Sequence, residues 1–423
     1  MTTSMTPLRR SKAAVEQLEH LQSQEAYRSG DERKPGDDSR VLREIAERQL
    51  LAEYLASHDF ASVEAMTQAT SGVVGEPSFQ AAVEQRAGQI EGSFQVEDGD
   101  IWPRYERPDR RKRLSELVVR VEEAAGKRGL RIPRRPAVGT LPTYDINAQA
   151  IPGPPGEGHI IVFESGIFSF SGSLGKLAAQ AIDAKLSGSG SSLLFHATPP
   201  PIIDHIGRHS QILLQFYDFL FSQAVLGTSV YIDIVPLPPQ NAPVANQLID
   251  SIDTFVLAHE YGHVILGHTG VHGSGKSGHE QELEADALGL DLCTAAWNGE
   301  LWAYSGASVF LSGLDVVDRA AATFLTGSPE PKPSASHPAA AERRAALSAV
   351  LRRAADPNVC EGAMRMADAI DWALHQMTEL ARPGFEKAYR KGYPHAGFRP
   401  RDEYEKRASL YAFMAEGFGS GGS

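Results

Sequence analysis

The chain has 423 residues, 42% of them hydrophobic and 22% charged, with 39 Gly and 26 Pro. That apolar share suffices for a sizeable core and excludes wholesale disorder, and the length suggests roughly two to three domains of about 150 residues each. Against 53 Asp and Glu stand 41 Lys and Arg, a formal net charge of −12. This argues against a nucleic-acid binder, which needs a basic footprint.

Residues 1–40 are polar, with a charged run around Pro35 and Gly36, and predict a flexible tail. They lack the apolar segment and cleavage site of a secretory signal. Cys293 and Cys360 stand outside any CxxC pair. They cannot build a disulfide framework and fit a reducing, cytoplasmic compartment. An N-terminal helical region is expected over 41–108, opening with VLREIAERQLLAEYL at 41–55, whose leucines and alanines share one face. The next helix is expected over about 109–128. Leu114, Leu117, Val118 and Val121 recur there at helical spacing, and Gly129 sits where a helix C-cap favours glycine. Its basic start, Arg110 to Arg113, reads as a solvated helix end.

From 131 onward, Pro, Gly and short β-branched runs replace this pattern. Extended segments are expected at 137–140, 144–150 and 159–163. The Ser/Gly run at 187–192 reads as a flexible loop. The most apolar stretch, 212–235, is interrupted by Asp218 and Asp233 and broken at Gly227-Thr228-Ser229. It predicts a buried helix and a buried strand, with no firm membrane segment. Helices are then expected over 244–268, 280–297, 300–326, 339–355 and 361–381, with a proline-rich loop at 328–336. The expected organisation is a core over 109–356 with an insert at about 187–243, a C-terminal helical region over 357–416 and a flexible tail at 417–423. The expected class is α+β, mostly helical with a small β-sheet.

The chemistry concentrates in His259-Glu260-Tyr261-Gly262-His263, an HExxH motif inside a helix-spaced apolar run. Positions i and i+4 share a helix face, so both imidazoles can reach one metal ion. Glu260 then stands beside the metal, where it can take a proton from a bound water. Two histidines and a glutamate within such a run would be costly to bury without a function. A third ligand is needed. His268, His272 and His279 are candidates by type, but an HExxHxxGxxH pattern fails, because Leu266 and Thr269 occupy its last two positions. His268, five residues after His263, is expected to point away from the metal. The acidic helix start Glu280-Gln281-Glu282-Leu283-Glu284-Ala285-Asp286 is the better source, giving the His₂Glu set of a catalytic zinc site. Asp286 could there accept the free N–H of a ligand histidine.

HExxH followed by E-x-x-A-D resembles the gluzincin zinc metallopeptidases of the CAAX-prenyl-protease and HtpX-like family. Two further landmarks match in order: Asn147-Ala148 before a strand and Ser165-Gly166-Ile167, and His337-Pro338 before Arg343 or Arg344 and Leu347. The resemblance covers about residues 110–350. It implies a zincin-like core with one zinc per chain, Glu282 as third ligand and Asp286 behind it. Helical spacing agrees: Glu280 and Glu284 lie about 200° from Glu282, whereas Asp286 and Gly289 share its face, Gly289 allowing close approach of the HExxH helix.

The expected function is hydrolysis of a protein or peptide substrate by metal-activated water, with Glu260 as general base. The strand at 159–163 is expected to bind substrate as an added β-strand. Asn147 is a candidate substrate contact, and Tyr304, His337 and Arg343 are candidates for stabilising the oxyanion. Two rival readings are a scaffolding protein with a structural zinc of four protein ligands, its cleft covered by the 187–243 insert, and a membrane-associated peptidase anchored by 212–235.

Overall fold

Ala14, Val15, Leu18 and Leu21 recur at helical spacing in the otherwise polar N-terminal segment, and that stripe decides its structure. In the computed structural model they lie on a helix, α1 (Lys12–Ser29), and Ala14, Val15 and Leu18 join a core with Ala137, Leu141, Ile160 and Val162. The expected flexible tail is corrected to this extent: four correctly spaced apolar residues outweigh a polar composition. The structure describes residues 10–29, 38–58, 63–94, 101–187, 192–227, 237–269, 276–298, 302–334, 337–354 and 357–396. The tail at 417–423 and the expected strand after Gly227 lie outside them.

The helices continue with α2 (Asp38–Ala56), α3 (Val63–Val74), α4 (Pro77–Glu91) and α5 (Pro108–Lys127). Strands β1 (Ala137–Leu141), β2 (Ala148–Pro152) and β3 (His159–Glu164) form one sheet in the order β1-β3-β2. Then follow α6 (Gly166–Ala181), β4 (Lys185–Leu186), β5 (Leu193–Leu194), α7 (Pro199–Arg208), α8 (Ser210–Leu220) and α9 (Ala242–Leu266). Next come α10 (Gly278–Ala296), α11 (Trp302–Thr326), α12 (Ala340–Ala354) and α13 (Pro357–Arg390). The architecture is α+β, mostly helical with a small sheet. No described helix is long and apolar enough to cross a membrane.

Three expectations change in detail. β3 is the middle strand, so its edges are already paired, and β2 is an outer strand. Lys185 and Leu186 pair antiparallel with Leu194 and Leu193 where the sequence predicts a loop, residues 188–191 lying outside the described residues. The last helix runs to Arg390 through Pro383, about ten residues past the expected end.

The chain divides into two compact units: residues 1–119, 133–143 and 151–163, and residues 120–132, 144–150 and 164–423. In the first, α2 and α4 share a small core of Leu42, Ala46, Val83 and Ala87. This unit also buries a carboxyl group. Glu106 accepts hydrogen bonds from the Thr140 N–H at 2.7 Å, the Thr140 hydroxyl at 2.7 Å and Gln22 Nε2 at 3.0 Å. Gly139 makes room, since a Cβ there would stand 2.8 Å from Glu106 Oε2.

The second unit is built around α9. Pro243 opens this helix, Gly267 closes it with a φ of +71°, and its residues from Ser251 to Gly262 are buried. A helix apolar around its circumference must be enclosed, and α6, α10 and α11 pack against it. The Tyr261 hydroxyl donates to Glu122 at 2.9 Å, and Arg120 pairs with Asp250 at 2.5 Å, both tying α9 to the end of α5.

The buried carboxyl generates a pH dependence. Burial pushes Glu106 up to about 7, against the pull of the Thr140 hydrogen bonds. A group raised on folding contributes stability that is complete below its unfolded value, about 4.3, and is lost as pH rises through its folded value. Between pH 4 and 8 the Glu106→Gln variant should therefore gain on the parent by up to about 3 kcal/mol, measured as the difference in urea unfolding free energy at each pH. A difference that does not change with pH would contradict this.

Candidate metal centre

The HExxH residues lie on the last two turns of α9, and Glu282 and Asp286 lie one turn apart on α10. A reciprocal cap starts α10: Ser277 Oγ accepts from the Glu280 N–H, and the Glu280 side chain accepts from the Ser277 N–H at 2.8 Å. Glu280 is thus used in capping and stays at the surface.

The backbones of α9 and α10 come close because two glycines face the partner helix. A Cβ at Gly289 would lie 3.1 Å from His259 N and Cα, and one at Gly262 would lie 3.1 Å from the Ala285 carbonyl oxygen. Across this crossing three donors converge. His259 Nε2 and His263 Nε2 stand 3.1 Å apart, His263 Nε2 lies 3.3 Å from Glu282 Oε1, and His259 Nε2 lies 3.5 Å from Glu282 Oε2. Donors about 2.0–2.1 Å from a tetrahedral zinc are separated by about 3.3–3.4 Å, so the triangle has the right size. Glu282 Oε2 is buried without a hydrogen-bond partner, with Arg343 Nη2 at 3.6 Å. No fourth His, Cys, Asp or Glu belongs to this group among the described residues.

Asp286 Oδ1 lies 2.9 Å from His259 Nδ1, a close charge contact in which the ring N–H is not well aligned. Arg343 clamps Asp286 from α12 with two bonds of 2.7 Å, Nε to Oδ2 and Nη2 to Oδ1. Such a bidentate pair fixes a carboxylate's orientation. Burial pulls His259 down, but Asp286 and Glu282 outweigh it and the imidazole is pushed up to about 10. Burial raises Glu282, but His259 and His263 hold it well below the usual carboxylate range. Glu260 is pushed up by burial, partly offset by the same two imidazoles, and its carboxylate accepts the Ala150 N–H. These groups form a strongly cation-seeking site.

The centre opens on a cleft of about 870 Å³ whose lining includes Asn147 to Ala150 at the start of β2 and Ile167, Phe255 and Phe310. His337 stands at its rim, its Nε2 3.7 Å from Glu282 Oε1. Arg343, expected as an oxyanion donor, is buried and committed to Asp286. Tyr304 is not at the site: it is buried in α11 with its hydroxyl paired to Ser348 and Ser308. His279 reaches the Ser334 carbonyl at 3.1 Å, and His272 lies outside the described residues. His268 is not among the three donors, but Gly267 ends the helix and so brings its ring against the far side of the His263 ring. Its Nδ1 lies 3.0 Å from His263 Nδ1. Asp183, His196 and His205 form a second donor group. There the Lys185 ammonium already holds Asp183 at 2.8 Å.

No family model, curated protein or solved structure matches the chain.

If Glu282 is the third donor, Glu282→Ala should weaken zinc binding by orders of magnitude, whereas Glu280→Ala should remove only a helix cap, about 1 kcal/mol of stability. Zinc retention under dialysis against a mild chelator checks this. Loss of zinc from Glu280→Ala with retention in Glu282→Ala would place the site elsewhere.

Proposed function

We propose that the chain is a zinc-dependent endopeptidase, a gluzincin-type hydrolase of protein or peptide substrates. The observation that carries it is the donor triangle of His259, His263 and Glu282 with the buried Glu260 beside it. A structural zinc calls for four protein ligands, whereas a catalytic one keeps a position for water. Three convergent donors and an adjoining cleft favour the second.

A zinc ion bound there supplies an activated water and polarises the scissile carbonyl. The chain's own residues do the rest. His259, His263 and Glu282 hold the ion through two neutral nitrogens and one carboxylate. Glu260, held by the Ala150 N–H, accepts the proton of the attacking water on its carboxylate and returns it to the leaving amine. Its burial keeps the carboxylate less solvated and more basic than a surface glutamate. Asp286, steadied by Arg343, sets its negative charge beside His259 Nδ1, which favours the proton there and leaves Nε2 for the metal.

The outer strand β2 suits the recognition of an extended peptide. Its first residues line the cleft, and main-chain hydrogen bonds along an outer strand give affinity without side-chain selectivity. This replaces β3 as the expected docking strand. Ile167, Phe255 and Phe310 offer an apolar wall to a side chain beside the scissile bond. His337, half-exposed at the rim, is the nearest candidate for contacting the developing oxyanion.

Glu260→Gln is nearly isosteric and keeps the metal donors, but its amide cannot serve as base. It should retain zinc and thermal stability while cleavage of an unstructured protein substrate falls by about 10²–10⁴-fold, the usual worth of a general base. Cleavage at the parental rate would mean that Glu260 is not the base.

A further inference from the structure

One ligand histidine has its companion in Asp286; the other has a longer connection. Gly267 ends α9 with positive φ, and the His268 N–H returns to the His263 carbonyl at 2.9 Å. This six-to-one bond, with Gly267 N–H on Val264, is a Schellman turn. It folds His268 back onto the last histidine of the motif. The two Nδ1 atoms stand 3.0 Å apart, and His268 Nε2 lies 3.2 Å from Glu284 Oε2. The other Glu284 oxygen pairs with Lys276. The His268 side chain is only 2% exposed, whereas its partner Glu284 is 39% exposed.

The proton positions follow from the inventory of donors. A neutral imidazole has one N–H and one lone pair, and an ionised carboxylate only accepts. Facing Glu284, His268 carries its N–H on Nε2 and its lone pair on Nδ1. That lone pair accepts the Nδ1–H of His263. The His263 lone pair then lies on Nε2, the nitrogen aimed at His259 and Glu282. The opposite tautomers would set the His268 Nε2 lone pair against the Glu284 carboxylate.

We propose that Glu284 and His268 act as a positioning relay, fixing His263 as the Nδ1–H tautomer and so presenting its Nε2 lone pair to the metal. The inference rests on reading the HExxH site as a metal centre. It gives the two ligand histidines matching supports, each ending on a carboxylate paired with a cation: His259 on Asp286 and Arg343, His263 through His268 on Glu284 and Lys276. Glu284 thus has a use although it lies off the ligand face of α10.

The test compares zinc affinity, by competition with a chromophoric chelator, in the full-length parent, His268→Phe and His268→Asn. Phenylalanine keeps the ring volume but offers no acceptor, and outer partners of ligand histidines are typically worth about 10–100-fold in metal affinity. Asparagine places a carbonyl oxygen near the Nδ1 position and should restore affinity to within a few-fold of the parent. Nitrogen-15 NMR of the metal-free parent should show His263 as the Nδ1–H tautomer. An affinity of His268→Phe within twofold of the parent would overturn the relay, as would equal losses in both variants or an Nε2–H His263 in the metal-free parent. Each of these leaves the metal site standing. A parent that takes up no zinc overturns the metal site, and the relay with it.

Discussion

The close crossing of α9 and α10 is the constraint on which the rest of the site depends. The two imidazoles belong to one helix and the carboxylates of Glu282 and Asp286 to the other, and these short side chains meet only if the backbones touch. Gly262 and Gly289 permit that contact. A methyl group at either would stand about 3.1 Å from backbone atoms of the partner helix, tighter than packed interiors tolerate without a shift. A shift of a few tenths of an ångström would open a donor triangle whose sides are 3.1, 3.3 and 3.5 Å.

That crossing gathers charge in an apolar interior, and the balance of charge indicates what the site accepts. Glu260, Glu282, Asp286 and Arg343 are all buried. Once both histidines give up their protons to act as ligands, three carboxylates and one guanidinium leave two uncompensated negative charges. Burying unpaired charge is expensive, and a divalent cation cancels this excess. The remaining orientation comes from outside the donor set, from α12 through Arg343 and from the Schellman turn through His268.

The parts legible in the sequence are those set by periodicity over long segments. The 25 residues of α9 and the motif inside it are readable from apolar spacing and two histidines four apart. The shared face of Glu282, Asp286 and Gly289 follows from helix geometry alone. What escapes such a reading depends on where regular structure stops or on how distant segments pair. Helical spacing cannot bring the His268 ring against His263, because it no longer holds one residue past Gly267. The place of β3 in the sheet escapes the sequence because strand order cannot be read from hydrophobicity, and β3 reads as strongly apolar for the very reason that it is central. Arg343 carries a general landmark signal, but nothing in sequence says that its guanidinium meets Asp286 57 positions away. Helix α1 is hidden by composition, although Ala14, Val15, Leu18 and Leu21 carry the spacing.

The central claim is a metal held by two imidazoles and one carboxylate, with a position left for water. Zinc-edge X-ray absorption on the purified full-length protein tests it most directly. One zinc per chain with four nitrogen or oxygen neighbours at about 2.0–2.1 Å, two of them giving the multiple scattering of imidazole, is the expected result. A chain that purifies without zinc, or a centre with three or more imidazoles and no position for water, would contradict it.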